Sequence, residues 1–244
     1  MALDKLKIYK QAIEIRKKLG ESDTSPIDVF AVVQNISHLS LVLYPMGQNI
    51  SGMCVKIGKD TIIAINSSMS IGRQNFSIAH ELYHHYFDDI QKTTVCRKDI
   101  GKGNENELAA DKFAAYFLMP LGSDVISGGE EITFEKVIEI GQYYKVSNQA
   151  MLYRLLEEGL ISPEQAEKYK KNITIKAASL GYDTSLYKPS SESKKFKTYG
   201  YYVKQTQELL KKEKVSDGKY EQLLLEAFRA DIVYGDDVEE ELND

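Results

Sequence analysis

The chain has 244 residues, of which 43% are hydrophobic, and a formal net charge of −5. This length suits one large domain or two small ones, and the mildly acidic charge argues against a dedicated nucleic-acid-binding protein. No run of eighteen apolar residues occurs, which argues against a transmembrane helix. The amphipathic start, residues 1–7, does not look like a secretion signal, and the two distant cysteines, Cys54 and Cys96, are typical of a reduced cytoplasmic protein.

The first third of the chain predicts two helices, a small sheet and a third helix. Apolar residues recur at helical spacing in the N-terminal segments, and β-branched residues dominate the runs that follow. The turn of residues 58–60 joins two of these runs into a hairpin. The predicted helices cover residues 3–19, a segment that opens at Pro26, and residues 70–87; the predicted strands cover residues 38–43, 53–57 and 61–65.

A polar stretch, residues 88–104, follows without periodicity; it is long for a plain loop and could be mobile. The pattern beyond it is helical again, with Pro120 ending one helix, Ser147 as a natural N-cap and residues 188–193 as the best linker candidate. Helices are predicted over residues 105–119, 134–144 and 148–158, from Ser162 onward, and over residues 201–212 and 219–233.

Together these elements predict an α+β fold in three parts. Residues 1–125 form a mainly helical domain with a small antiparallel sheet, residues 126–171 a helical extension packed on it, and residues 172–244 a C-terminal helical region. The last nine residues are strongly acidic. A solvated tail is the simpler interpretation of that charge, and a site for a basic partner is the alternative.

The most informative motif is His80-Glu81-Leu82-Tyr83-His84, inside the predicted helix of residues 70–87. Residues four apart share a helical face, so the two imidazoles can bind one metal ion. Glu81 lies one position on, within reach of a water on that ion, and can take its proton; this arrangement is typical of metallopeptidases. The other two histidines, His85 and His38, are expected to be packing or surface residues.

A catalytic zinc site needs a third protein ligand and one open position for water. Glu107 is the best candidate, and Asp111 lies four residues further on the same helical face, which otherwise consists of core residues. A metal would meet the Glu107 carboxylate, and the free N–H of a metal-bound imidazole would meet Asp111. The alternative for Glu107 is a capping box in which Asn104 is the N-cap.

With these residues, the chain resembles the ImmA/IrrE family of metallopeptidases. The match lies in residues 73–82 (RQNFSIAHEL) and 107–120 (ELAADKFAAYFLMP), with a hairpin just before them. The resemblance implies a zincin-like fold and a cytoplasmic zinc-dependent endopeptidase, with manganese possible as the metal. It also implies that the substrate is a helix-turn-helix transcriptional repressor, whose cleavage releases mobile-element, phage or stress genes. Neither direct nucleic-acid binding nor a membrane is expected.

The expected site has His80, His84 and Glu107 as metal ligands, Glu81 as the general base and Asp111 beside a ligand imidazole. Two further features invite a role. The strand over residues 61–65 could present an edge on which an extended substrate adds, and it is equally expected as an ordinary strand of the core sheet. Cys96, in the polar stretch, could occupy the open metal position and hold the enzyme latent, although a loop cysteine usually has no such role.

Two other functions fit the same sequence. A metal-stabilised binding module could sequester a regulator without cutting it. A DNA-binding regulator could use residues 142–160, which have helix–turn–helix spacing. Acidic side chains outnumber Lys145 and Arg154 in and beside that segment, which suits a phosphate backbone poorly.

Overall fold

The structure is a computed structural model that describes residues 4–89, 93–121 and 131–235. It confirms the α+β fold, with helices packed around a five-stranded sheet and a helical C-terminal region. The strands are β1 (Leu39–Tyr44), β2 (Ile50–Ile57), β3 (Asp60–Asn66), β4 (Thr93–Arg97) and β5 (Lys197–Gly200). The helices are α1 (Lys5–Lys18), α2 (Val29–Val33), α3 (Ile71–Phe87), α4 (Glu105–Leu118), α5 (Phe134–Tyr143), α6 (Asn148–Glu157), α7 (Pro163–Tyr169), α8 (Ile173–Ser179), α9 (Tyr201–Lys211), α10 (Asp217–Glu226) and α11 (Ala230–Tyr234).

The sheet is mixed and not purely antiparallel, which corrects the prediction of a small antiparallel sheet. Its strand order is β4-β2-β3-β1-β5, and β1 runs parallel to β3 while the other neighbours are antiparallel. The cause is the short connection of residues 45–49, which crosses the end of β3 and places β1 and β2 on opposite sides of it. The predicted β2–β3 hairpin is confirmed.

Asn66 holds this crossing connection in place. Its side-chain amide donates to the carbonyl oxygen of Ile50 at 2.7 Å, and its Oδ1 accepts from the backbone N–H of Met46 at 3.0 Å. The residue is 2% exposed, so these bonds satisfy polar groups that water does not reach. One amide side chain therefore fixes both the end of β3 and the start of β2.

The two edges of the sheet differ from the sequence prediction. β3 lies between β2 and β1, so the substrate-edge alternative for residues 61–65 is wrong and the core-sheet alternative is confirmed. The edge strands among the described residues are β4 and β5, and β4 lies in the polar stretch of residues 88–104, in which the sequence pattern predicts no strand. Short polar strands at an edge carry little hydrophobic periodicity, which is why the sequence concealed β4.

Helix α3 packs one face on β2 and β3 and another on α4. A column of aromatic rings joins the two helices: the Phe87 ring meets the Phe113 ring at 5.7 Å, and the Phe113 ring stacks on Phe117 at 5.4 Å. Phe113 and Phe117 are fully buried, and such burial contributes about 1.5–3 kcal/mol for each side chain. This column sets the spacing between the helices that carry the predicted site residues.

The predicted helix–turn–helix of α5 and α6 is present and is docked against α3. Ser147 caps α6 by accepting from the N–H of Ala150, as predicted. The turn lies so close to α3 that a Cβ at Gly72 would be 2.6 Å from the Ser147 nitrogen, and Asn75 donates to the carbonyl oxygen of Lys145 at 2.8 Å. One face of α6 is buried in the core.

The C-terminal region begins close to α3 as well. The predicted linker of residues 188–193 lies against the start of α3: the Ile71 N–H donates to the Lys188 carbonyl oxygen, and the Ser190 hydroxyl donates to Gln74. β5 then adds to the sheet beside β1. The helix predicted over residues 219–233 is divided into α10 and α11 at Phe228, whose φ is +57°.

Some predictions remain untested by the fold. The division at residues 1–125, 126–171 and 172–244 stays a prediction, and its first boundary lies outside the described residues. The acidic tail, residues 236–244, also lies outside them.

The second helix begins at Val29 and not at Pro26, because Asp28 is its N-cap. Among the described helices, none combines the length and apolar character required to cross a bilayer.

Candidate metal centre

The two motif histidines lie one turn apart on α3 and face the same point. Their Nε2 atoms are 3.2 Å apart, and both side chains are almost fully buried. The helix begins with Ser70 at the N-cap and continues to Phe87, as the sequence predicted. Its i, i+4 spacing is what aligns the rings.

Glu107 meets the imidazoles from the first turn of α4. Its Oε2 lies 3.4 Å from Nε2 of His80, and its Oε1 lies 3.6 Å from Nε2 of His84. The capping alternative is half correct, because Asn104 does cap α4 by accepting from the Glu107 N–H at 3.0 Å. The Glu107 carboxylate is directed at the histidines.

One aspartate contacts the Nδ1 atom of each histidine, on the side of the ring that faces away from the site. Oδ1 of Asp111 lies 2.8 Å from Nδ1 of His80, and Oδ2 of Asp88 lies 2.9 Å from Nδ1 of His84. An ionised carboxylate only accepts, so each Nδ1 carries a proton and each Nε2 is the nitrogen that faces the site. The sequence pattern predicts the role of Asp111 but not that of Asp88, although the i+4 spacing of Asp88 from His84 is a usable signal.

Both aspartates are themselves fixed by neighbouring elements. Asp88 accepts from the Thr94 hydroxyl of β4 at 3.2 Å and from the Asn106 amide of α4 at 3.0 Å. Asp111 accepts from the backbone N–H of Gly101 at 2.6 Å. Three separate segments therefore converge on the orientation of two rings.

Cys96 completes this group of side chains. One ligand atom from each of His80, His84, Cys96 and Glu107 can be chosen so that all of them lie within 4.8 Å of one another. Cys96 is fully buried on β4 and pairs with Gly52 of β2. The sequence placed this cysteine in a loop, and only strand pairing brings it to the histidines. His85 lies elsewhere, with its Nδ1 3.0 Å from the Thr61 hydroxyl.

Glu81 is buried beside the same group with an unpaired carboxylate. It is 0% exposed, and within the described part of the chain neither oxygen has a hydrogen-bond partner at the usual distance and angle. The Cys96 thiol is nearby without completing such a bond. Gly52 makes room for the Glu81 carboxylate, since a Cβ at residue 52 would lie 2.8 Å from Oε1 of Glu81. Burial raises the pKa of Glu81 to about 7.

The electrostatic environment favours a cation between these groups. Burial lowers the pKa of His80, but hydrogen bonds to Asp111 and Glu107 outweigh burial and raise that pKa to about 10. Burial and then the Glu81 and Glu107 carboxylates raise the pKa of the Cys96 thiol. The negative field that favours a proton on His80 would equally favour a divalent cation at Nε2.

The donor set fits a divalent metal ion. Two imidazole nitrogens, a carboxylate and a thiol are ligands that proteins offer to zinc, and four-coordinate zinc separates its ligand atoms by roughly 3.3–3.7 Å. The distances of 3.2, 3.4 and 3.6 Å among His80, His84 and Glu107 agree with that geometry. The buried Glu81 carboxylate also has no hydrogen-bond partner among the described residues, and a cation in the neighbouring space would stabilise its charge. This buried cluster could therefore hold a metal.

Residues 44–156 match the model of a protein family described as the IrrE N-terminal-like domain, Peptidase_M78. The matched segment begins at the end of β1 and ends within α6, so it contains every residue of the cluster. A search of curated proteins found no match.

Proposed function

We propose that this chain, whose residues 44–156 match the IrrE N-terminal-like domain, is a zinc-dependent endopeptidase of the ImmA/IrrE family. The observation that carries the proposal is Glu81, a fully buried and unpaired carboxylate beside two imidazoles and a second carboxylate. A buried carboxylate without a partner is costly and is seldom kept for stability. Its position suits a group that exchanges protons with a reacting water.

The proposed roles follow from the geometry of the side chains. His80, His84 and Glu107 would hold the ion, which when bound supplies a Lewis acid that polarises a carbonyl and acidifies water. Glu81 takes the proton of the attacking water and delivers it to the leaving amine. Asp111 and Asp88 keep each imidazole in the tautomer whose Nε2 faces the site.

The substrate would be a peptide segment in extended form. Among the described strands β4 lies at the edge of the sheet, and its Cys96 reaches the cluster, so the outer side of this strand runs past the site. An extended segment can pair with such an edge through main-chain hydrogen bonds. We assign the substrate-binding edge to β4 in place of the interior strand β3.

The natural substrate that the family resemblance favours is a helix-turn-helix repressor in the cytoplasm, cut to release the genes it controls. A metal-stabilised domain that only sequesters the repressor is the second candidate, because four protein ligands could keep a site closed to water. A DNA-binding role receives no comparable support, since Arg154 is buried and donates to the Met119 carbonyl oxygen and to Glu158.

The test uses the purified full chain loaded with zinc, a library of internally quenched peptides and purified helix-turn-helix repressors. Wild type should release defined fragments. Glu81→Gln should abolish cleavage and keep the bound metal, whereas His80→Ala should lose both. Cleavage by Glu81→Gln at the wild-type rate contradicts the assigned base. Metal-dependent capture of a repressor that stays intact would favour the sequestering module.

A further inference from the structure

We propose that Cys96 is a fourth protein ligand of the metal and that its sulfur keeps the site latent by occupying the position that water needs. This inference rests on the proposed function, because it concerns the regulation of the same site. The geometry of β4 and of its neighbours carries it.

The first observation is the direction of the Cys96 side chain. Along β4, Thr93, Val95 and Arg97 are exposed, and Cys96 alone is fully buried. It is directed at His80, His84 and Glu107, and the four ligand atoms lie within 4.8 Å of one another. Zinc ligands stand roughly 3.3–3.7 Å apart, so a shift on the order of 1 Å brings the sulfur into coordination.

The second observation concerns the neighbouring Glu81 carboxylate. The Glu81 carboxylate is 0% exposed, borders the same space, and has no partner at hydrogen-bonding distance and angle among residues 4–89, 93–121 and 131–235. A structural zinc site is closed by four protein ligands, and a catalytic site keeps one position open. With the sulfur bound, Glu81 has no water to deprotonate. The site is therefore closed when the Cys96 sulfur is bound to the ion, and it is open to water when the sulfur has moved away.

The position of β4 makes opening feasible. Among the described strands, β4 pairs only with β2, and its register shifts between Ile50 and Gly52, next to the residue that pairs with Cys96. Edge strands with one partner separate at lower free energy than central strands. Movement of this strand by a bound peptide would withdraw the sulfur from the ion.

The chain offers a matched control for this idea. Cys54 lies on the neighbouring strand β2, is also buried and is the other cysteine of the sequence. It does not belong to the cluster of ligand atoms. Cys54→Ser and Cys96→Ser thus remove the same atom from adjacent strands, and only the second removes a proposed ligand.

The experiment loads the full chain with cobalt(II) and records its near-ultraviolet spectrum, in which a sulfur ligand produces a charge-transfer band. Wild type and Cys54→Ser should show the band, and Cys96→Ser should bind cobalt without it. Bound cobalt with no band in wild type overturns the proposal, as does loss of the band in Cys54→Ser. Because this readout needs no turnover, it is separate from the test of peptidase activity.

Hydrolysis by the zinc-loaded proteins tests latency. Cys96→Ser should cleave peptides several-fold faster than wild type, while Cys54→Ser should match wild type. Equal rates for all three proteins overturn the latency.

If Cys96→Ser does not fold, alkylation of the wild-type protein tests the same proposal. Bound zinc should slow the alkylation of Cys96 and leave the alkylation rate of Cys54 unchanged. Equal rates at Cys96 with and without zinc contradict the proposal. Cleavage by a wild-type protein whose metal has no sulfur ligand overturns this inference alone, and absence of metal binding in wild type overturns the proposed function as well.

Discussion

Oδ2 of Asp88 lies 2.9 Å from Nδ1 of His84, one helical turn along the chain and just past the end of α3. Asp111 bears the same relationship to His80 from a different helix. Both rings are therefore held by a carboxylate on one nitrogen and present the other nitrogen to one point. A symmetrical arrangement of this kind orients ligands before a metal arrives.

Removal of the Asp88 carboxylate should weaken metal binding. Asp88→Asn loses a charged acceptor from Nδ1 of His84, and we expect about a 10–100-fold lower affinity for zinc, measured by competition with a chromophoric chelator. Asp89→Asn is the matched control, because it is the next residue along and is exposed. Equal losses in the two variants would contradict an orienting role for Asp88.

The space at Gly52 should be required for activity. In Gly52→Ala the new methyl group would lie 2.8 Å from Oε1 of Glu81, so the carboxylate must move. A displacement near 1 Å can cost about 10²-fold in rate, so peptide hydrolysis should fall strongly while zinc stays bound. Gly47→Ala, in the preceding connection, adds a methyl group to open space and should retain activity. An active Gly52→Ala variant would show that Glu81 tolerates displacement.

The contact between α3 and the α5–α6 turn should be sensitive to one methyl group. In Gly72→Ala the Cβ would meet the Ser147 nitrogen at 2.6 Å, and overpacking of this kind costs about 1–3 kcal/mol in the free energy of unfolding. Gly218 also occupies the second position of a helix but faces open space. Gly218→Ala should be neutral or stabilising by about 0.5–1 kcal/mol. Denaturant unfolding compares the two, and equal effects would contradict the packing argument.

Docking of the C-terminal helices should depend on pH through Asp231. Burial favours the neutral acid, but Arg229 and Lys197 outweigh it and lower the pKa of Asp231. A lowered pKa stabilises the fold above about pH 4, the usual aspartate value, and the contribution is lost as pH falls through the folded pKa. Asp231→Asn should therefore lose about 1–2 kcal/mol at pH 7.

Thermal unfolding measured from neutral to acidic pH tests this expectation. The difference between wild type and Asp231→Asn should shrink as the pH falls below the folded pKa of Asp231. Glu192→Gln is a control, since its partner Lys195 is three residues away and its carboxylate is largely exposed. A constant difference between wild type and Asp231→Asn at every pH would exclude the charge as its source.

The sequence by itself determined the features that depend on neighbours along the chain. The i, i+4 spacing of His80 and His84, the caps at Asn104 and Ser147, and the β2–β3 hairpin follow from helical period and turn chemistry, which act over a few residues. Glu107 was found because a carboxylate on an otherwise apolar helical face requires a cationic partner. Its capping alternative could not be separated from this one without coordinates.

Only the tertiary structure decided which distant segments meet. Strand pairing brought Cys96 to the histidines, placed Gly52 against Glu81 and put β3 inside the sheet, and helix packing joined Asp88 to Asn106. Such pairings depend on the closure of long stretches of chain and on the packing of whole faces, and no local period in the sequence records them. The motif histidines and Glu81 lie on one helix, and the residues that position and enclose them come from β2, β4 and α4.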